Sequence, residues 1–225
     1  MLKLDYKFSN SGLEADIDVT SADITGLHYS LFLGDIILED RKTSFSTDWE
    51  WVPLYDFFFA LYGIVSKLED GQLSTFEFTE SEATINFERR LSKIYITSSY
   101  ADGTIEVDVD EFISLTENKL DEAIDDILAK HPVLKDNFAF KTETSKFKKR
   151  LYISKLEALA KGEITSREAS EWAESEELGY GEHRDAQTRE ILDSLQLAGA
   201  LNENGDPLYG KDDYRDWLKV AKDQE

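Results

Sequence analysis

The side chains in this chain that could perform acid–base or metal chemistry are its carboxylates and three histidines. The 225 residues include 47 Asp and Glu but no Cys, which excludes disulfides, thiolate metal sites and cysteine nucleophiles. His28, His131 and His183 lack the helical pairing and carboxylate spacing of a metal motif, so we interpret each as structural or exposed. The sequence contains no nucleophile elbow, phosphate-binding glycine loop or dinucleotide fingerprint.

Two arrangements of carboxylates could still support chemistry. Asp108-Val109-Asp110 is spaced like calcium ligands, but the loop glycine and the terminal glutamate of that site are missing. A carboxylate pair that hydrolyses glycosides could form in three dimensions, although no spacing in the sequence selects one. We therefore predict no catalytic residue, no metal and no cofactor, and a hydrolase that uses a carboxylate pair stays an alternative.

The charge of the chain is its most extreme property. The net charge is −22, and residues 1–140 carry 11 basic and 28 acidic residues against 14 and 19 in residues 141–225. Such a field repels nucleic acid and anionic membranes and attracts basic proteins. The expected partner is a positively charged protein, with no nucleic acid and no membrane; general solubility is the alternative explanation of the charge.

The segment from Thr104 to Leu128 concentrates this charge on a regular apolar pattern. Up to Val109, apolar and acidic residues alternate, which predicts a strand with one face in the core. The period then becomes helical, and the residues predicted to be buried on one side are Ile113, Leu120, Ile124 and Ile127.

The outer surface of this segment is our candidate partner-binding site. A leucine framed by carboxylates has the composition of a small interface, an apolar anchor inside a charged rim. The predicted contact residues are Glu106, Asp108, Asp110, Glu111, Leu115, Asp121, Glu122, Asp125 and Asp126. The alternative is an ordinary solvated helix face in which Asp110 and Glu111 complement the helix dipole.

Periodicity predicts an antiparallel sheet with covering helices in residues 1–140. Alternating segments predict an opening hairpin from Leu2 to Val19, and Gly34-Asp35 predicts a turn or a bulge in the next strand pair. After Pro53, a segment that is apolar on nearly all faces predicts a central buried helix. Residues 1–140 are therefore predicted to form an acidic α+β domain.

The remainder of the chain is predicted to be helical. Residues 141–150, KTETSKFKKR, are polar and basic and are interpreted as a linker. In residues 151–225, Gly162 is expected to end one helix, a capping box spans Thr165 to Glu168, and Asp212 is expected to cap the last helix. This pattern predicts a small all-α bundle of four helices around Trp172 and Trp217.

One part of this bundle could also be a winged-helix DNA-binding element. The stretch ILDSLQLAGALNENGDPLY reads as a helix followed by a hairpin wing. Its helix lacks the basic residues that phosphate contacts require, so nucleic-acid binding is not favoured from this segment.

The C-terminal half resembles a known kind of protein. LEALAKGEITSREASEWA, EILDSLQLAGAL and PLYGKDDYRDWL, between Lys155 and Trp217, resemble the helical module of cytosolic immunity proteins from bacterial polymorphic and contact-dependent toxin systems. FISLTENKLDEAIDDILAKHPVLKDN is similar to the terminal helix of small immunity-type domains. The motifs are tryptophans and helix caps, so the resemblance implies a non-enzymatic toxin inhibitor without identifying the toxin.

The resemblance and the charge together predict an immunity protein that neutralises a cognate basic toxin, such as a nuclease, by stoichiometric occlusion. A second alternative, besides the hydrolase, is an acidic decoy that mimics nucleic acid. The N-terminus lacks the layout of a secretory signal and no apolar run reaches membrane-spanning length, so the expected location is the cytoplasm.

Overall fold

The computed structural model describes residues 2–9, 18–180 and 186–223. The chain divides into two compact units, Met1–Phe140 and Lys141–Glu225. All seven strands found in the described residues belong to the first unit, and the second unit is helical. The predicted fold class, an antiparallel α+β part followed by a helical C-terminal part, is confirmed.

The first unit contains two sheets and three helices in its described residues. Its strands are β1 (Lys3–Phe8), β2 (Leu33–Glu39), β3 (Val52–Pro53), β4 (Leu73–Glu77), β5 (Thr84–Arg90), β6 (Lys93–Ser98) and β7 (Ile105–Asp108). Its helices are α1 (Ile24–Tyr29), α2 (Leu54–Val65) and α3 (Val109–Lys130), and a short 3₁₀ helix follows at Pro132–Asp136.

Both sheets are antiparallel and follow the order of the chain, β1-β2-β3 and β4-β5-β6-β7. In the second sheet the alternating apolar residues all turn to one buried face, as a period of two requires. These residues are Phe76, Ile85, Phe87, Ile94, Ile96, Ile105 and Val107.

The first sheet differs from its prediction. Gly34 and Asp35 lie inside β2, and no turn interrupts the strand there. A Cβ at Gly34 would lie 2.2 Å from the carbonyl oxygen of Lys7, so the glycine allows β1 to approach closely. β1 pairs with β2, and residues 10–17, which carry most of the second strand of the predicted opening hairpin, lie outside the described residues.

Helices α2 and α3 pack against each other within the first unit. α2 follows Pro53 as expected and buries residues on several faces, among them Tyr55, Phe57 and Phe58. In α3, Leu120, Ile124 and Ile127 are buried as predicted, but Phe112 takes the core position expected for Ile113. The reason is that the Phe112 ring stacks on Phe87 of β5, with ring centroids 5.9 Å apart, and so fills the core at this turn.

A buried carboxylate organises the loop before α2. Oδ1 of Asp35 accepts hydrogen bonds from the Thr47 hydroxyl (3.0 Å) and from the backbone N–H of Trp49 (2.7 Å) and Glu50 (3.0 Å). Asp35 is 6% exposed, and Glu50 has the left-handed φ of +62°. The loop stacks the Trp49 and Trp51 rings 4.9 Å apart. Since strain at a non-glycine residue needs compensation, we attribute the loop conformation to Asp35.

Replacing Asp35 with Ala should therefore lower the free energy of unfolding by about 2–3 kcal/mol, because three donors lose their buried acceptor. Urea denaturation measures this loss, and hydrogen exchange should place it in residues 1–140. Asp48 is exposed in the same loop, and Asp48→Ala is the matched control. Equal stability of the two variants would contradict the role assigned to Asp35.

The second unit contains four helices in its described residues. They are α4 (Phe138–Lys161), which begins three residues before the unit boundary, α5 (Ser166–Tyr180), α6 (Ala186–Leu197) and α7 (Lys211–Asp223). Gly162 follows the end of α4 with φ +80°, and Glu163 N–H bonds back to the carbonyl of Ala158. The predicted capping box is present, since Glu168 N–H donates to the Thr165 hydroxyl and Thr165 N–H to the Glu168 carboxylate.

Residues 141–150 are not a linker, because they form part of α4. The apolar stripe that would have identified this helix is interrupted by Lys148, which is fully buried. Its ammonium lies 3.0 Å from Oε2 of Glu176 in α5, and the Tyr152 hydroxyl donates to the same oxygen at 2.8 Å. A lysine thus occupies a core position of α4, with a buried carboxylate as its counter-ion.

Replacing Glu176 with Ala should destabilise the second unit by about 3 kcal/mol, because the buried ammonium loses its carboxylate. The change should appear as lost amide protection in α4 and α5 by hydrogen exchange. Glu174, exposed on the same helix, provides the control Glu174→Ala. The double variant Lys148→Met, Glu176→Leu should recover most of the protection; if it does not, the pair has a role other than charge compensation.

Candidate functional site

The nine residues predicted to bind a partner lie on β7 and α3 of the first unit. Glu106 and Asp108 belong to β7, and the others belong to α3. Six of the acidic residues are exposed, whereas Leu115, Asp121 and Asp125 are partly buried. Leu115 is therefore not the exposed apolar side chain that the prediction of an anchor requires.

Several of these carboxylates have partners inside the first unit. Lys93 Nζ lies 3.6 Å from Glu106 and 3.1 Å from Asp108, and the hydrogen bond to Asp108 raises the pKa of Lys93. Lys119 Nζ lies 2.6 Å from Glu122. These contacts make the surface an acidic face with its own counter-ions, and its role as a contact site stays a prediction.

Asp126 illustrates how this face is tied to the first sheet. Its Oδ2 accepts a hydrogen bond from the Tyr6 hydroxyl of β1 at 2.8 Å. Burial and then this hydrogen bond raise the pKa of Tyr6 far above its ordinary value, so the hydroxyl stays a donor. The contact fastens α3 to β1.

The histidines occupy structural positions where they are described. His28 lies in α1, and its Nδ1 is 2.7 Å from Oδ1 of Asp56. His131 follows α3, with its ring 5.6 Å from that of Phe32. His183 lies outside the described residues. Among the residues that are described, no three His, Asp or Glu side chains are grouped so that they could hold a metal ion.

Helix α4 has the opposite charge to the rest of the chain. It contains seven Lys and Arg and only two Glu, in a protein whose net charge is −22. Lys148 is buried, and Lys155 lies over the Trp172 ring at 5.3 Å. The excess of positive charge must therefore be displayed by the remaining basic residues of the helix.

Three of these residues form what we call the basic face of α4: Lys146, Arg150 and Lys161. All three are exposed. At 100° per residue they fall within about 60° of one another around the helix, and at 1.5 Å per residue they extend over about 22 Å. Such a row of cations matches a polyanion that runs along the helix.

An open cleft continues this face at the C-terminal end of α4. It has a volume of about 500 Å³ and is lined by Glu157, Ala160, Lys161, Lys211, Arg215, Leu218 and Lys222. Residues of α4 form one side and residues of α7 the other. Four of the seven lining side chains are cations and one is an anion, so the cleft favours a negatively charged ligand.

Gly162 helps to shape this cleft. A Cβ there would lie 3.1 Å from the Lys211 ammonium, and the left-handed φ of +80° also favours glycine. The absence of a side chain lets Lys211 lie against the end of α4. Its positive charge is well placed there, because the last carbonyl groups of a helix are electronegative.

Two of the four cations of the cleft, Lys161 and Arg215, have solvent-exposed partners. Lys161 is 4.0 Å from Glu163, and Arg215 is 2.9 Å from Asp212, whose side chain is 96% exposed. Lys222 pairs with Glu157. Within residues 2–9, 18–180 and 186–223, Lys211 has no carboxylate within ion-pair distance. Exposed pairs of this kind contribute little free energy, so an anionic ligand can replace them.

The predicted hairpin after α6 is present. Leu201 and Pro207 form an antiparallel bridge, and Asn202 N–H donates to the carbonyl of Asp206 at 2.8 Å. Asp212 lies in the first turn of α7 and does not cap it, because the helix begins at Lys211. The hairpin itself carries Glu203 and Asp206 and no cation, so it does not extend the basic surface.

The comparisons with known proteins point to the second unit. Residues 142–220 match the model of a family described as YxzC DNA-binding protein. The match covers 79 of the 225 residues, about a third of the chain. No curated protein and no solved structure matches the chain.

This match corrects two predictions. The prediction of a toxin-neutralising immunity protein is wrong, as is the exclusion of nucleic acid from its partners, since the matching family is described as DNA-binding. The physical cause of the error is that a net charge averages over the chain and hides the basic helix α4. The family match says nothing about immunity proteins, so that resemblance stays a prediction.

The signal for the basic site was present in the sequence. Residues 141–150 are basic, but this charge is hidden when the segment is interpreted as a linker and summed with the acidic residues that follow. Charge counted over the length of one helix distinguishes these basic residues from the acidic residues around them.

In the described part of the chain, no helix is both long and apolar enough to cross a membrane.

Proposed function

We propose that the second unit binds DNA, and that it does so through the phosphate backbone with the basic face of α4. The observation that carries the proposal is the charge of this helix, seven cations against two anions, of which six cations and both anions lie inside the segment that matches the DNA-binding family model. Lysine and arginine rows bind nucleic acid chiefly by neutralising phosphates and releasing their counter-ions.

The rest of the unit restricts where DNA can lie. Residues 162–225 carry seven Lys and Arg against 17 Asp and Glu, so the field beyond α4 is repulsive to phosphate. The proposed backbone contact is therefore limited to the basic face of α4. A small contact of this kind gives modest affinity and strong dependence on salt.

The buried pair of Lys148 and Glu176 supports this use of α4. It keeps the helix packed on α5 although four of the five residues from Lys146 to Arg150 are basic. The exposed cations are consequently held on a fixed helix, and their spacing is set by the helix geometry. A defined spacing lets several phosphates be bound together, without the cost of ordering a flexible basic segment.

The first unit would oppose binding through its long-range field. Its residues carry 11 basic and 28 acidic side chains, so it repels DNA at low ionic strength. No base-reading contact is proposed, because the basic face presents separate cations and no hydrogen-bonding group aimed at base edges. Binding should accordingly vary little between DNA sequences of the same length.

The test is the double variant Lys146→Ala, Arg150→Ala in the full-length protein. Loss of two phosphate contacts should lower the slope of log affinity against log salt by about 1.8. Fluorescence anisotropy with a labelled duplex, repeated across a salt series, measures both affinity and slope.

The matched control removes the same charge elsewhere in the unit, with Arg189→Ala and Lys219→Ala, which are exposed on α6 and α7 outside the cleft. This control should bind with nearly the unaltered slope. Equal losses in the two double variants would mean that net charge, not the basic face, governs binding. A full-length protein that binds no duplex at any salt concentration would overturn the proposed function.

A further inference from the structure

We propose that the cleft between the end of α4 and α7 holds a terminal phosphate, so that the protein prefers DNA ends that carry a phosphomonoester. This inference rests on the proposed function and adds a ligand for one part of the same surface. It separates two roles, since the basic face would follow the backbone while the cleft would receive the end of the strand.

The shape of the cleft distinguishes it from the basic face. The basic face is a row along one helix, whereas the cleft gathers four cations from two helices around one space of about 500 Å³. A row of cations suits an extended chain of phosphodiesters. A concave group of cations suits a ligand whose charge is concentrated in one place.

The charge of the cleft fits a dianion better than a monoanion. Four cations and one carboxylate line it, an excess of three positive charges among the lining residues, while Glu163 and Asp212 outside the lining pair with Lys161 and Arg215. An internal phosphodiester carries one negative charge, while a phosphomonoester carries about 1.5 to 2 at neutral pH and presents three acceptor oxygens. The terminal phosphate therefore gains more from this arrangement than an internal one.

Lys211 and Arg215 are the residues we assign to the phosphate. Lys211 lies against Gly162 without a carboxylate partner among the described residues, and Arg215 is paired only with a fully solvated Asp212. They lie four residues apart on α7 and therefore share one side of that helix. Arginine adds a planar fork that can bind two phosphate oxygens together.

Glu157 is the opposing group within the cleft. Its side chain is 31% exposed and is paired with Lys222 across the cleft. A carboxylate in this position forms an ion pair with one cation and repels an incoming phosphate.

Glu157 is thus expected to limit the affinity of the cleft for phosphate. Glu157→Gln should strengthen the binding of phosphorylated ends two- to threefold, about the effect of one exposed charge. Glu174→Gln, exposed on α5, should leave binding unaltered.

The deciding experiment compares three forms of DNA of one sequence with the full-length protein: a blunt duplex with 5′-phosphates, the same duplex with 5′-hydroxyls, and a closed circle. The phosphorylated duplex should bind about fivefold more tightly than the other two, the effect of one favourable exposed ion pair. Lys211→Ala and Arg215→Ala should abolish this difference in affinity while leaving binding to the circle unaltered. Lys219→Ala should preserve the difference.

A second experiment tests whether the cleft binds the phosphate of a DNA end or any free phosphate compound. Inorganic phosphate and thymidine 5′-monophosphate are titrated while the amide signals of Lys211 and Arg215 are followed by NMR. The monophosphate should shift these signals and compete with the phosphorylated duplex, but only at much higher concentration, because it lacks the contacts of the backbone with α4.

The outcomes distinguish this inference from the proposed function. Equal affinity for phosphorylated and unphosphorylated duplexes overturns the end preference and leaves DNA binding in place. Tight binding of the monophosphate without binding of any duplex overturns both, and shows a site for a small phosphate ligand. An end preference that survives Lys211→Ala and Arg215→Ala overturns the assignment of the cleft.

Discussion

The organisation of the second unit depends on the buried ion pair between Lys148 of α4 and Glu176 of α5. A fully buried ammonium is costly unless it is paired and hydrogen-bonded, and here the carboxylate also accepts a hydrogen bond from Tyr152. The pair allows a helix with seven basic residues to pack into a core. Removal of the carboxylate alone would leave the ammonium unpaired and weaken the packing that gives α4 the fixed geometry on which the proposed function rests.

Acidic and basic surfaces are separated along the chain, with the acidic one in the first unit and the basic one in the second. The first unit displays acidic side chains on β7 and α3, many of them paired with Lys93, Lys119 or Tyr6. The second unit collects exposed cations on one face of α4 and in the adjoining cleft. A protein with a net charge of −22 can therefore present a local surface that attracts phosphate, because screening in salt limits each field to about 10 Å.

Much of the fold was predictable because burial imposes regular periods. The alternation before Val109 predicts the strand that is β7, and the capping box at Thr165 and Glu168 predicts the start of α5. Gly34 was misinterpreted as a turn because a glycine that permits close approach of two strands has the same sequence as one that permits a turn. The sequence does not choose between Phe112 and Ile113, which are adjacent apolar residues in α3, and the packing of Phe112 on Phe87 decides which one is fully buried.

The candidate site shows most clearly what the sequence alone determined and what it did not. Composition determined that the chain is acidic, that it has no cysteine chemistry, and that residues 141–150 are basic. Only the tertiary structure decided that Lys148 among these basic residues is buried, because its counter-ion Glu176 lies 28 residues further along the chain. The cleft was equally inaccessible, since Lys161 and Lys211 are brought together by the packing of helices that are distant in sequence. Local patterns specify secondary structure, whereas the charges that share a surface are chosen by the fold.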